Sequence, residues 1–106
     1  MTDLLYALKD HIAWITINRE KQRNAINADA IQLFLSYLDQ AQADPGVRVI
    51  CLTGSGDKVF CSGADLGAAM HEPPEKKERM FQQYAKLLTR ISEFPKPTLA
   101  KINGHC

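Results

Sequence analysis

Apolar residues fall along the chain in short runs whose spacing changes, and each change marks an element. Leu4 to Leu8 and Ile12 to Asn18 gather strand-forming residues on either side of Lys9-Asp10-His11, which predicts two antiparallel strands joined by a tight turn. The second is the richer in β-branched and aromatic side chains, through Trp14-Ile15-Thr16-Ile17. A polar, basic loop follows, Arg19-Glu20-Lys21-Gln22-Arg23-Asn24. Beyond it the period lengthens: Ile31, Phe34, Leu35, Leu38 and Gln42 follow helical spacing, the first four apolar on one face, with Asn27 placed as N-cap. Asp44-Pro45-Gly46 is turn chemistry, so this helix is expected to stop near Ala43.

Val49-Ile50-Cys51-Leu52-Thr53 is an uninterrupted run of strand length, as expected for a strand covered on both faces. Gly54-Ser55-Gly56-Asp57 ends it, and a short extended piece over Val59 to Cys61 leads into Ser62-Gly63-Ala64-Asp65-Leu66. Pro73-Pro74-Glu75 opens a second helix, with Pro74 in its first turn. Along that helix Met80, Phe81, Tyr84, Leu87, Leu88 and Ile91 form an amphipathic stripe, the pattern of a core-facing side. Pro95 and Pro97 break it, and Thr98 to Ile102 predicts another buried strand before Asn103-Gly104 turns the chain. The order is strand, strand, helix, strand, short strand, helix, strand, without repeats. A final strand with no outgoing partner element is expected of part of a domain.

Composition narrows the classes. The chain has 106 residues, 45% hydrophobic and 24% charged, with a formal net charge of +1, which reads as globular and gives no field suited to nucleic acid or a membrane surface. No basic segment followed by an apolar run opens the chain, and no stretch approaches the ~18 apolar residues of a membrane span, so a cytoplasmic location is expected. Cys51, Cys61 and Cys106 lack C-x-x-C spacing, and His11, His71 and His105 are isolated, so neither a disulfide framework nor a metal site is expected. Gly54-Ser55-Gly56 superficially suggests a dinucleotide loop, but Val59 stands where the third glycine belongs. Neither Ser55 nor Ser62 lies in a nucleophile elbow.

The segment Phe60-Cys61-Ser62-Gly63-Ala64-Asp65-Leu66 concentrates small residues where an extended chain turns. Small side chains let a ligand approach backbone N–H groups, which suits an oxyanion site for a developing thioester enolate. An ordinary tight turn, with Gly63 supplying unusual dihedrals and Asp65 capping a helical turn, accounts for the same residues.

Taken in order, Trp14-Ile15-Thr16-Ile17-Asn18-Arg19, Lys21-Gln22-Arg23-Asn24-Ala25-Ile26-Asn27, Leu52-Thr53-Gly54, the heptapeptide, Pro95-Lys96-Pro97-Thr98 and Asn103-Gly104 resemble the enoyl-CoA hydratase/isomerase (crotonase) family. The resemblance covers nearly the whole chain. It implies an α/β fold, a crotonase-like spiral of β-β-α units that is incomplete here, with residues 1–106 as the N-terminal portion of a single domain. It also implies that the Ala64 amide donates to the thioester oxygen and that Ser62, Asp65 and Leu66 line the coenzyme A site. Lys21, Arg23 and Ala25 border it, the two cations as phosphate contacts, although each is equally consistent with a solvated loop; Arg19 stands outside the set.

Family members continue past Asn103-Gly104 into a glycine-rich turn with a second oxyanion amide and then into acidic residues. This chain stops before them and is expected to be inactive alone. The implied function is an acyl-CoA enzyme of hydratase or isomerase type, a lyase or isomerase of fatty acid metabolism. It would need no cofactor beyond the coenzyme A of its thioester substrate, and would assemble as a homotrimer or dimer of trimers. The alternatives are a non-catalytic crotonase-like module that binds acyl-CoA or other subunits, and a small α/β structural domain.

Overall fold

The computed structural model describes residues 3–61, 63 and 73–104. Strands β1 (Leu4–Lys9) and β2 (Ile12–Ile17) form the expected antiparallel hairpin, in register from Leu4 opposite Ile17 to Lys9 opposite Ile12. Asp10 (φ 53°) and His11 (φ 65°) close it. Two successive positive φ values match the right-handed twist of the flanking strands, which an ordinary turn would splay. His11 also ties the hairpin to the far end of the first helix, its Nδ1 lying 2.9 Å from Gly46 O.

Helix α1 (Ala28–Ala43) begins where Asn27 predicts, with Asn27 Oδ1 accepting from Ala30 N–H at 2.9 Å. Its other end is finished from a distance. Lys96 Nζ donates to Ala41 O and Asp44 O, both at 2.8 Å, which satisfies two terminal carbonyls and sets a cation at the negative end of the helix dipole. Ala30, Ile31, Phe34, Leu35, Leu38 and Ala41 are buried, so one side of α1 faces the sheet.

The sheet continues through β3 (Val49–Gly54), parallel to β2, and β4 (Thr98–Lys101), parallel to β3, in the order β1-β2-β3-β4. Helix α2 (Pro74–Ser92) leads into β4. It runs beside α1 in the same direction: Gln32 meets Gln83, and Arg90 Nη2 reaches both Gln42 Oε1 (2.9 Å) and Asp39 Oδ1 (2.7 Å). The core joins Leu4, Ala13, Ile15, Ile17 and Ile50 of the sheet to Ile26, the buried face of α1, Val47, and Met80 and Leu87 of α2. Among the described residues no helix is long and apolar enough to cross a membrane.

Four expectations need correction. The extended piece at Val59 to Cys61 is no strand: only Val59 makes an isolated bridge. β4 is exposed at every position, Leu99 by 60%, because it is the edge strand and nothing among the described residues lies over it. The stripe on α2 is wider than its contact. Met80 and Leu87 are buried and Tyr84 and Ile91 pack against the core, while Phe81 and Leu88 stay exposed. β3 in turn is buried at Ile50, Cys51 and Gly54, while Val49, Leu52 and Thr53 are half-buried, so it is not covered along its length. Cys51 shares its cross-strand row with Trp14 and Leu99, on the face opposite α1.

Candidate functional site

The basic loop is folded by Arg19. Its backbone N–H donates to Asn24 Oδ1 (3.0 Å), its Nε donates to Ala25 O (2.7 Å), and its Nη1 lies 3.3 Å from Asp3 Oδ1. Around that anchor Glu20–Gln22 make one 3₁₀ turn, and Arg23 (φ 56°) and Asn24 (φ 55°) take left-handed conformations that reverse the chain. The guanidinium is occupied holding the loop. Lys21 and Arg23 are exposed, whereas Ala25 is buried beneath them.

The loop is joined to the segment after β3. Asn24, 1% exposed, donates from Nδ2 to Ser55 O (3.1 Å) and Val59 O (2.8 Å), and its Oδ1 also accepts from Ser55 Oγ at 3.4 Å. Together with the bond from Arg19 N–H, this fills the hydrogen-bonding capacity of the amide. Asn103 grips the same segment after β4: Oδ1 accepts from Gly54 N–H (3.1 Å), and Nδ2 donates to Gly56 O (2.9 Å) and Val59 O (3.0 Å). Gly56 has φ 82° and sits against the Glu20 carboxylate, where any Cβ would collide. Sequence reasoning treated Asn24 as part of a polar loop and Asn103 as turn chemistry. Only proximity across 31 to 49 residues reveals them as partners.

Of the segment predicted to meet the thioester, Gly63 is described; Ser62, Ala64, Asp65 and Leu66 lie outside the described residues. Gly63 has φ 101°, a conformation costly for any side chain although nothing crowds the site of a Cβ. Its carbonyl accepts from Ile26 N–H at 2.8 Å and its N–H faces Cys61 Sγ at 3.4 Å. The structure thus brings Lys21, Arg23 and Ala25 to the same corner of the fold as Gly63.

Two neighbouring features complete the setting. Burial, and after it the negative charge available at Cys61, raise the Tyr84 phenol above its ordinary value, leaving it a neutral hydroxyl near this corner. A groove of about 470 Å³ runs between the first turns of α1 and α2; the described residues lining it include Asn27, Asp29, Lys76, Arg79 and Met80, and among the described residues no predicted site residue lines it. No group of His, Cys, Asp and Glu able to hold a metal ion occurs among the described residues.

The profile of the enoyl-CoA hydratase/isomerase family matches residues 7–106. A relative from Thermus thermophilus, provisionally assigned as an enoyl-CoA hydratase, is 36% identical over 99 residues, covering 91% of this chain and 39% of its own length. The (E)-benzylidenesuccinyl-CoA hydratase of Thauera aromatica is 30% identical over 102 residues, covering 92% of this chain and 38% of the relative. Among solved structures, an enoyl-CoA hydratase from Bacillus anthracis superposes with a TM-score of 0.91 at 28% identity, over 97% of this chain and 40% of that one. An enoyl-CoA hydratase/isomerase from Xanthobacter autotrophicus Py2 gives 0.90 at 30% identity, over 97% and 39%. The chain therefore spans about two fifths of the length of its relatives, and its α/β sheet is that of the crotonase fold. With the family profile matched from residue 7 to residue 106 and the fold shared over almost all of its length, the chain belongs to the enoyl-CoA hydratase/isomerase family.

Proposed function

We propose that this chain forms the N-terminal portion of a single crotonase-like domain in an acyl-CoA enzyme of hydratase or isomerase type, and that it supplies one donor to the thioester oxygen. The observation that carries the reading is the bond from Ile26 N–H to Gly63 O, which joins the basic loop to the glycine turn. The reading requires the Ala64 N–H to face away from Ile26. A trans peptide sets its N–H opposite to its C=O, so the reading fits a Gly63 carbonyl that accepts from Ile26 N–H.

The chemistry then follows from charge. As a proton leaves the carbon next to the thioester, or water adds to the conjugated double bond, negative charge grows on the thioester oxygen. A donor already aimed at that oxygen stabilises the transition state more than the ground state and needs no reorganisation. Lys21 and Arg23 take the coenzyme A phosphates, where a flexible ammonium and a forked guanidinium can share several oxygens; Ala25, Ser62, Asp65 and Leu66 line the rest. Proton transfer and the second donor fall to residues outside this chain. The substrate is an acyl-CoA thioester with no further cofactor, and the assembly is a cytoplasmic homotrimer or dimer of trimers.

The decisive comparison is made in a protein of family length that carries this chain. Ala64→Pro deletes the N–H, whereas Ala64→Gly keeps it. Turnover of crotonyl-CoA should fall by ~10²–10³ in the proline variant and far less in the glycine variant. Near wild-type turnover by a folded, coenzyme A-binding proline variant would remove Ala64 as donor. Acyl-CoA binding by the parent without any turnover would favour the non-catalytic module instead.

A further inference from the structure

The strap from Ser55 to Cys61 joins β3 to Gly63, yet it contains no strand and one isolated bridge. Its path must be fixed by something other than a sheet ladder. Two side-chain amides take that role, from two different parts of the chain. Asn24 enters from the basic loop and holds the carbonyls of Ser55 and Val59. Asn103 enters from the turn after β4 and holds Gly54 N–H and the carbonyls of Gly56 and Val59. The Val59 carbonyl accepts from both. Four residues later the Gly63 carbonyl is held by Ile26 N–H. The segment preceding the proposed donor is thus fixed at both ends.

We infer that Asn24 and Asn103 are positioning residues for the thioester-oxygen donor: by clamping Val59 from two sides they set where the amide after Gly63 sits relative to the coenzyme A loop. This rests on the acyl-CoA reading above. Neither side chain needs to touch substrate. A donor is worth most when its place is fixed beforehand, and a displacement of about 1 Å can cost ~10²-fold in rate. Asn24 belongs to the same loop as Lys21 and Arg23, so one buried amide couples the phosphate end of the site to its thioester end.

Asn103→Asp separates this role from general stability, because aspartate keeps an acceptor for Gly54 N–H and loses both donors. The protein is again one of family length carrying this chain. Three quantities are read: affinity for coenzyme A, the near-ultraviolet absorbance of the enolate of bound acetoacetyl-CoA, and turnover of crotonyl-CoA. Coenzyme A affinity and KM should stay within about threefold while kcat falls about ten-fold or more and the enolate absorbance declines. Wild-type kcat and enolate absorbance in that variant would overturn the inference, as would a parallel loss of coenzyme A affinity.

A second measurement needs no variant. In the wild-type protein the side-chain NH₂ protons of Asn24 and Asn103 should exchange with solvent at least about ten-fold more slowly than those of the exposed Gln40. Exchange at the exposed rate would sink the clamp even if Asn103→Asp failed to fold. A wild-type protein binding neither coenzyme A nor acetoacetyl-CoA would instead overturn the acyl-CoA reading, and the positioning role with it.

Discussion

The Tyr6 ring lies 5.1 Å from that of Tyr37, tilted by 31°, and the Tyr6 hydroxyl is buried without a hydrogen-bond partner among the described residues. Burial first, and the Asp44 charge second, raise its pKa above the ordinary 10.0. The neutral form is favoured by folding, so the associated stability is fully present below pH 10 and is lost as pH rises through the folded-state value. Tyr6→Phe removes the unpaired hydroxyl and keeps the ring. It should leave stability unchanged or raise it by up to about 1 kcal/mol at neutral pH, and should flatten the alkaline decline. Urea titrations of both proteins at pH 7 and above pH 10 check both parts; a clear loss at pH 7 would show that the hydroxyl has a partner.

Also at the residue scale, Lys21 and Arg23 are exposed on a loop whose shape they do not hold, since Arg19 and Asn24 do that. Lys21→Ala with Arg23→Ala should therefore leave the fold intact. Affinity for coenzyme A and for acyl-CoA should weaken together, by about 1–3 kcal/mol, because the lost contacts are charge-assisted and common to both ligands. Calorimetry on the family-length protein giving unchanged affinities would take the pair out of the site.

At the scale of elements, α1 is finished at its two ends by unrelated means. Asn27 caps the first turn from its own flank, while Lys96 reaches the last carbonyls from the approach to β4. Sixteen residues separate the ends, about 24 Å of helix. Asn27→Ala should cost about 1 kcal/mol. Lys96→Met, which keeps the stem and deletes the donors, should cost a similar amount, about 1–2 kcal/mol. The two share no partner, so the double variant should show their sum within about 0.5 kcal/mol. A Lys96→Met variant as stable as its parent in chemical denaturation would mean that water satisfies Ala41 O and Asp44 O equally well.

Across the whole molecule, apolar surface is distributed unevenly. One sheet face is covered by α1 and α2, whereas Leu99, Ile102, Leu5, Phe81 and Leu88 are exposed. Exposed apolar side chains of this size favour association. Prepared as a separate polypeptide, the 106-residue chain should self-associate as its concentration rises and should turn over no acyl-CoA. Sedimentation showing a monomer at all concentrations, together with cooperative unfolding and turnover of crotonyl-CoA, would contradict this.

Sequence by itself determined the local elements. The hairpin, the Asn27 cap, the end of α1 before Asp44 and the first turn of α2 at Pro74 are set within a few residues by dihedral limits and capping chemistry, and all stand where the pattern put them. The family was legible too, since its motifs keep their order along the chain. Which side of the α2 stripe is core was not legible, because Leu87 and Leu88 are equally apolar and only the position of α1 buries one of them. Burial of β4 was misread for a related reason: an apolar strand states that it can be covered, and its neighbours decide whether it is. The roles of Asn24 and Asn103 lay further out of reach. A buried amide takes its meaning from the backbone groups it meets, and those are supplied by residues 31 to 49 positions away, which only the folded chain brings within hydrogen-bonding distance.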